Sequence, residues 1–258
     1  MKLLLLLVAL ISASYSKAQK TDSLPPRVHE LAKLETIKEQ TRDRKQVMEG
    51  STTALSYFEV HTTTIEPGRA AHPPHVHNDM EELVIVKEGQ LKITIKGESK
   101  IVGPGSIGFA MPGDEHGFEN AGNTIATYYV LKYKSRLPME LERAKQHGGS
   151  FIINWNDLAF NKTEKGGRRE FFNKPTSQLQ KFEMHTTALN AGLDSHPPHT
   201  HKEEEIILIL RGKVTMHIGD QFIKAVPGDV VFLSSGIPHA LKNTGGEQCE
   251  YFAFQWRN

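Results

Sequence analysis

His72-Pro73-Pro74-His75-Val76-His77 returns as His196-Pro197-Pro198-His199-Thr200-His201, 124 residues further along the chain. The match extends outward at the same offset. Phe58-Glu59-Val60-His61-Thr62-Thr63 corresponds to Phe182-Glu183-Met184-His185-Thr186-Thr187. After His77 the first copy carries one extra residue and the offset becomes 123, pairing Glu82 with Glu205, Gly89 with Gly212, Gly105 with Gly228, His116 with His239 and Asn120 with Asn243. Ten of the 13 histidines fall into five matched pairs, leaving His29, His147 and His217 outside them. A period this long is not that of a solenoid; it is two duplicated domains.

Within each copy the pattern is one of short strands and turns. Gln90 to Lys96 alternates polar and apolar residues before Gly97, and Lys213 to Ile218 repeats the alternation before Gly219. Val102-Gly103-Pro104-Gly105 and Pro227-Gly228-Asp229 are turn sequences, and Tyr128 to Tyr133 and Tyr251 to Trp256 read as later strands. Many short strands punctuated by Gly and Pro predict an all-β antiparallel sandwich or barrel in each half. Pro138 to Gln146, with Pro early and Gly148-Gly149 after its end, predicts a short linker helix. Val28, Leu31, Leu34 and Ile37 recur every three residues and predict a second helix over Val28 to Thr41. The expected organisation is a leader at 1–18, an N-terminal domain with its leading helix at 19–136, the linker helix at 137–149 and a C-terminal domain at 150–258.

The rest of the composition narrows the function. The chain has 258 residues, 38% apolar and 24% charged, with a net charge of +1. That balance gives no electrostatic reason to expect nucleic acid or a strongly charged partner. The single Cys249 excludes an internal disulfide framework and a cysteine-built zinc site. Lys2 followed by the apolar run Leu3 to Ile11, with Ser16-Lys17-Ala18 placing small residues before Gln19, has the layout of a secretory signal peptide. The run is too short to span a bilayer. Cleavage would leave a periplasmic or secreted protein without a membrane anchor and turn the net charge from +1 to −1.

The histidine pattern carries the chemistry. On an extended segment residues i and i+2 share a face, so His75 and His77, like His199 and His201, aim two imidazoles the same way. A turn brings back Glu82, or Glu205, and a later strand supplies His116, or His239. Three nitrogens and one oxygen leave two open positions on an octahedral cation. Manganese or iron(II) suits that set better than a closed tetrahedral zinc, with zinc, nickel and copper as other candidates.

At these residues the sequence resembles the cupin superfamily, and its duplication resembles a bicupin. The family's first motif is matched by Gly68, His75-Val76-His77, Glu82 and Gly89, and again by Gly192, His199-Thr200-His201, Glu205 and Gly212. Its second motif is matched by Gly105, Gly113, His116 and Asn120, and by Gly228, Gly236, His239 and Asn243. The motif proline is replaced by Met111 and Ser234, and Gly68 and Gly192 stand one residue early, which touches turn detail and not the ligands. The resemblance implies two tandem double-stranded β-helix, or jelly-roll, barrels with a metal inside. It also implies a small-molecule substrate. Known bicupins include flavonol dioxygenases, oxalate decarboxylases and ureidoglycine aminohydrolases, and other cupins serve as storage or sensing modules. The expected function is a metal-dependent enzyme acting on a small oxygenated or carboxylated molecule. Dioxygen-dependent oxidation ranks first, followed by non-redox lyase, isomerase or hydrolase chemistry and then by a non-catalytic binding module. A homodimer is compatible with this reading but not required by it.

His72 and His196, each before a Pro-Pro pair, would sit at the barrel mouth as hydrogen-bond donors or proton shuttles, or else as loop histidines bonded to backbone. His61 and His185 share a face with Glu59 and Glu183 and read as structural. Glu81 and Glu204, next to the ligand carboxylates, should face away from the metal. Arg168-Arg169, matched by Arg44-Lys45, reads as structural.

Overall fold

The computed structural model describes residues 23–258; the leader expected at 1–18 lies outside them. Two seven-stranded sheets and two three-stranded sheets make the fold. The first large sheet runs, in spatial order, Phe151–Ile153, Ile107–Ala110, Glu81–Glu88, Ala126–Ser135, Leu55–Ile65, Asp43–Gly50 and Ile37–Lys38. The second runs Arg27–His29, Val230–Leu233, Glu204–Arg211, Cys249–Arg257, Lys181–Leu189, Gly166–Lys174 and Asn161–Thr163. The small sheets are built around Leu91–Ile95 and Val214–Ile218. Every ladder between these strands is antiparallel, and each half is a jelly roll.

Alternation decides which side chains enter each barrel. Leu91, Ile93 and Ile95 are buried while Lys92 and Thr94 between them are half-buried, and Val214, Met216 and Ile218 repeat this. The barrel interiors form two separate apolar clusters. The outer faces of the large sheets pack on each other. Phe58, Leu131 and Tyr133 of the first meet Phe182, Phe254 and Trp256 of the second in the largest apolar cluster. Strands at this interface are buried on both faces, which is why their sequences show no clean alternation.

The halves also exchange edge strands. Arg27–His29 pairs with Val230–Leu233 of the second barrel, and Phe151–Ile153 pairs with Ile107–Ala110 of the first. A 3₁₀ turn follows each: the Leu31 amide donates to Asp229 Oδ1 and the Trp155 amide to Ser106 Oγ, both at 3.0 Å. The expected helix over Val28 to Thr41 is therefore corrected. Val28 lies in an edge strand, Leu31 in the 3₁₀ turn and Ile37 in a two-residue strand. Their spacing serves contacts on different elements, and backbone pairing with the second barrel overrides local helix preference. The linker does contain a helix, Leu141–Gln146, which buries Ala144 and ends before Gly148 and Gly149, both at positive φ. Among the described residues no helix is long and apolar enough to cross a membrane.

Candidate metal centres

In the N-terminal barrel, His75 and His116 exchange backbone hydrogen bonds, each amide 2.9 Å from the other's carbonyl oxygen. Val76 between the two ligands is exposed, so His75 and His77 turn inward together. Glu82 comes from the strand Glu81–Glu88 and His116 opens the strand His116–Asn120. The donor atoms of His75, His77, Glu82 and His116 all lie within 4.8 Å of one another. His75 Nε2 is 3.1 Å from His77 Nε2, which is 3.0 Å from Glu82 Oε2. His116 Nε2 is 3.7 Å from Glu82 Oε1. Burial, and then the neighbouring His116, push the His75 pKa down to about 4. Burial opposes ionisation of Glu82, but hydrogen bonds with His116 and His77 win and hold its carboxyl well below the usual range. Burial likewise opposes protonation of His116, and the Glu82 carboxylate overcomes it and raises its pKa.

The C-terminal barrel repeats the arrangement in a looser form. His199, His201 and His239 have donor atoms within 4.8 Å of one another. Glu205 Oε2 lies 3.2 Å from both His201 Nε2 and His239 Nε2 but outside that three-histidine group. Burial of Glu205 is outweighed by hydrogen bonds with His201 and His239, which lower its pKa to about 2.

Both sites fit a divalent transition metal. His116 Nδ1, His201 Nδ1 and His239 Nδ1 each lie 2.9 Å from a backbone carbonyl oxygen, of Asp114, Glu203 and Ile237. That fixes the ring and turns Nε2 inward as a donor, as metal-ligating imidazoles are held. His116 Nε2 and His239 Nε2 are buried and face the Glu82 and Glu205 carboxylates at 3.7 and 3.2 Å, outside good hydrogen-bond geometry, an arrangement that a cation between them would satisfy. Asn120 and Asn243 are not ligands. Each bridges two backbone carbonyls, of Ile65 and Thr124 and of Leu189 and Glu247, and so pins a loop.

The walls differ between barrels. The N-terminal cavity, about 320 Å³, is lined by Arg42, Arg44, Glu59, His61 and Lys132. Glu59 is gripped by Arg44, by His61 Nδ1 at 2.9 Å and by Lys132 Nζ at 2.9 Å. The C-terminal cavity is about 760 Å³ and includes Glu183, His185, Ile207, Met216, Tyr251 and Gln255. His61 and His185, read as structural from sequence, thus stand in cavity walls. Lys132 was missed and Gln255 was not singled out within its strand; each is paired across the ladder with the carboxylate of its cluster, Glu82 or Glu205. The one place where the repeat changes a cation to an amide was the signal that could have found them. His72 and His196 sit edge-on to His75 and His199, with ring centroids 4.3 and 4.1 Å apart, and each Nδ1 is 2.9 Å from the carbonyl oxygen of Pro73 or Pro197. Arg168 pairs with Glu170 and Glu183, and Arg169 pairs with Glu250 while lying over Trp155. On the last strand Tyr251, Ala253 and Gln255 face the cavity, whereas Phe252, Phe254 and Trp256 pack between the barrels.

Paired jelly rolls, each with inward imidazoles and a carboxylate, define a duplicated barrel protein with a candidate metal site in each half. The Cupin domain family model matches residues 61–132 and 185–254, and the chain belongs to the cupin family as a two-domain bicupin. No protein with curated function matches the sequence. Among solved structures, AerE from Microcystis aeruginosa superposes with a TM-score of 0.67 at 18% identity, covering 90% of this chain and 99% of its own. Protein YlbA from E. coli gives 0.69 at 17%, covering 93% and 94%. The oxalate decarboxylase of Lactobacillus farciminis, in complex with formate, gives 0.67 at 13%, covering 91% and 87%. At these identities the likeness is one of fold.

Proposed function

We propose that this bicupin is an exported metal-dependent enzyme acting on a small molecule that carries a carboxylate or adjacent oxygen donors. The observation that carries the reading is the pair of inward-facing clusters, in which buried His116 Nε2 and His239 Nε2 converge with neighbouring imidazoles on the Glu82 and Glu205 carboxylates. His75, His77, Glu82 and His116 would hold one divalent cation, and His199, His201, Glu205 and His239 a second. Manganese or iron(II) is the expected ion. When bound, such an ion supplies Lewis acidity and open positions for substrate oxygens. The chain supplies the rest. Glu82 and Glu205 remain ionised, so each ligand set contributes one fixed negative charge. His72 and His196, at the mouth, would carry protons between solvent and bound substrate. Oxidation with dioxygen is the first reaction to test and non-redox carbon–carbon or carbon–oxygen cleavage the second; the second gains support from a neighbour that is an oxalate decarboxylase holding formate.

The test is elemental analysis of protein purified without added metal. The expected result is close to two divalent ions per chain, with His116→Ala and His239→Ala each removing one. Protein that carries no metal and takes none up overturns the proposal. Oxygen uptake across a panel of small carboxylates then separates the chemistries: products formed without oxygen consumption exclude oxidation. Export is checked by the mass of the mature chain, expected to begin at Gln19.

A further inference from the structure

The two barrels repeat their ligand sets but not their surroundings, and the differences can be assigned position by position. Arg44 and Arg168 face the equivalent Thr63 and Thr187, which aligns Arg42 with Gly166. Lys132 and Gln255 face the equivalent Glu59 and Glu183, and Val130 and Ala253 face His61 and His185. Three side chains that line the N-terminal cavity are therefore reduced or removed in the C-terminal one: Arg42 to glycine, Lys132 to glutamine and Val130 to alanine. The cavity grows from about 320 to about 760 Å³, and apolar groups such as Ile207, Met216 and Leu241 line it.

The larger cavity does not stop at the barrel mouth. It shares Lys165, His196, Pro197, Pro198, Ala240 and Leu241 with a second hollow of about 600 Å³ on the outer side of the small sheet. Lys165 holds this shared rim in place, donating from Nζ to the carbonyls of Asp194 at 2.9 Å and Ser195 at 3.0 Å. In the outer hollow His217 and Phe222 face each other across the strands Val214–Ile218 and Gln221–Ala225. Their rings stack 4.5 Å apart with planes 10° from parallel, and Phe222 is 72% exposed. The N-terminal copy has Thr94 and Ser99 at the corresponding positions, with their hydroxyls 2.7 Å apart. His217 is also one of the three histidines that the duplication leaves unmatched.

A flat, solvent-facing aromatic pair beside an apolar-walled cavity is suited to a flat apolar ligand group. We propose that the C-terminal barrel is the substrate chamber and that it takes an aryl-bearing carboxylate or related oxygen donor. The oxygen-donor head would lie at the His199, His201, Glu205 and His239 site and the ring on the His217–Phe222 platform. The placement of the head rests on the metal reading above; the placement of the ring does not. The N-terminal cavity, small and crossed by the Arg44–Glu59–Lys132 ion network, would admit only compact polar molecules.

The test is calorimetric titration of the full-length, manganese-loaded protein with benzoate, phenylacetate, phenylbutyrate and phenylhexanoate, each against a straight-chain alkanoate of matching spacer. At the chain length that spans the rim, the phenyl compound should bind about tenfold tighter than its alkanoate. The double variant His217→Thr, Phe222→Ser, which installs the N-terminal copy's residues at exposed positions, should keep its melting temperature and bring that ratio towards one. An aryl advantage absent at every chain length, or unchanged in the double variant, overturns the proposal. The two readings fail separately. Binding of alkanoates only when manganese is present, with no gain from the ring, keeps the metal site and removes the platform. A Phe222-dependent aryl advantage that survives chelation keeps the platform and removes the metal as its anchor.

Discussion

Glu81 and Glu82 are neighbours in sequence and point to opposite sides of one strand, as do Glu204 and Glu205. One member of each pair joins a candidate metal site. The other reaches into the opposite barrel. Glu81 accepts hydrogen bonds from Thr176 Oγ1 at 2.7 Å, Ser177 Oγ at 2.6 Å and the Ser177 amide at 2.8 Å. Glu204 accepts from Thr52 Oγ1 at 2.6 Å, the Thr53 amide at 2.8 Å and Trp256 Nε1 at 3.0 Å. Burial pushes the Glu81 carboxyl up, and the hydrogen bonds from Ser177 and Thr176 work against that push. Glu81→Ala leaves several buried donors unpaired and should cost at least about 3 kcal/mol in a denaturant titration. Glu81→Gln, which keeps the shape, should cost less. A loss below about 1 kcal/mol for the alanine variant would show that the contact carries little. The clustering of the candidate ligands was legible, because local spacing and one strand register bring them together. Alternation also told that Glu81 turns away from the metal. It could not tell what Glu81 would meet, because Thr176 and Ser177 belong to the other copy and no local pattern records a contact across 95 residues.

The exchanged strands are the elements that sequence periodicity misread. Val28, Leu31 and Leu34 look like one helical stripe, yet Arg27–His29 corresponds at the repeat offset to Phe151–Ile153, an apolar run with β-branched residues. Carrying the repeat past its motifs would have exposed the strand, since two copies of one fold must begin alike. The 3₁₀ turns that follow pack on barrel turns, and this gives a sharp test at Gly105. Its φ is +83°, and a Cβ there would lie 2.3 Å from the Trp155 ring. Gly105→Ala should therefore destabilise by about 2–4 kcal/mol, through backbone strain together with overpacking, read from the unfolding midpoint. A second test concerns pH. Burial, and then the Arg27 charge, lower the His29 pKa to about 4 from its ordinary 6.5. Between those values the unfolded chain binds the proton and the folded chain resists it. The associated stability is complete above about pH 6.5 and is lost as pH falls towards about 4. For a partly exposed ring this amounts to roughly 1–2 kcal/mol after allowance for solvent. His29→Gln should flatten that part of the acid-side decline when melting temperatures are compared at about pH 7 and about pH 5. An unchanged decline would mean that other buried histidines, such as His61 and His185, dominate it; burial lowers both.

At the scale of the whole molecule the largest apolar cluster belongs to neither barrel alone. It joins Phe58, Leu131 and Tyr133 to Phe182, Phe254 and Trp256, while each barrel interior holds a separate cluster. Three kinds of reciprocal contact reinforce the joint: the exchanged edge strands, the 3₁₀ turns seated on the opposite barrel and the paired Glu81 and Glu204 contacts. Losing either half would uncover the cluster, strip an edge strand from the remaining barrel and leave a buried carboxylate without its donors. The halves are therefore too interdependent to melt as two domains. Scanning calorimetry of the full chain should show one transition, with the calorimetric enthalpy equal to the van't Hoff enthalpy. A variant that disturbs one barrel, such as Gly105→Ala, should move the whole transition and not split it. The same coupling extends to the metal centres, because a cation that binds the folded protein stabilises by mass action whatever unfolds with its site. Removing metal by chelation, or emptying one site with His239→Ala, should shift the single transition downward. Two resolved transitions, only one of them sensitive to His239→Ala, would show that the interface cluster does not bind the barrels into one cooperative unit.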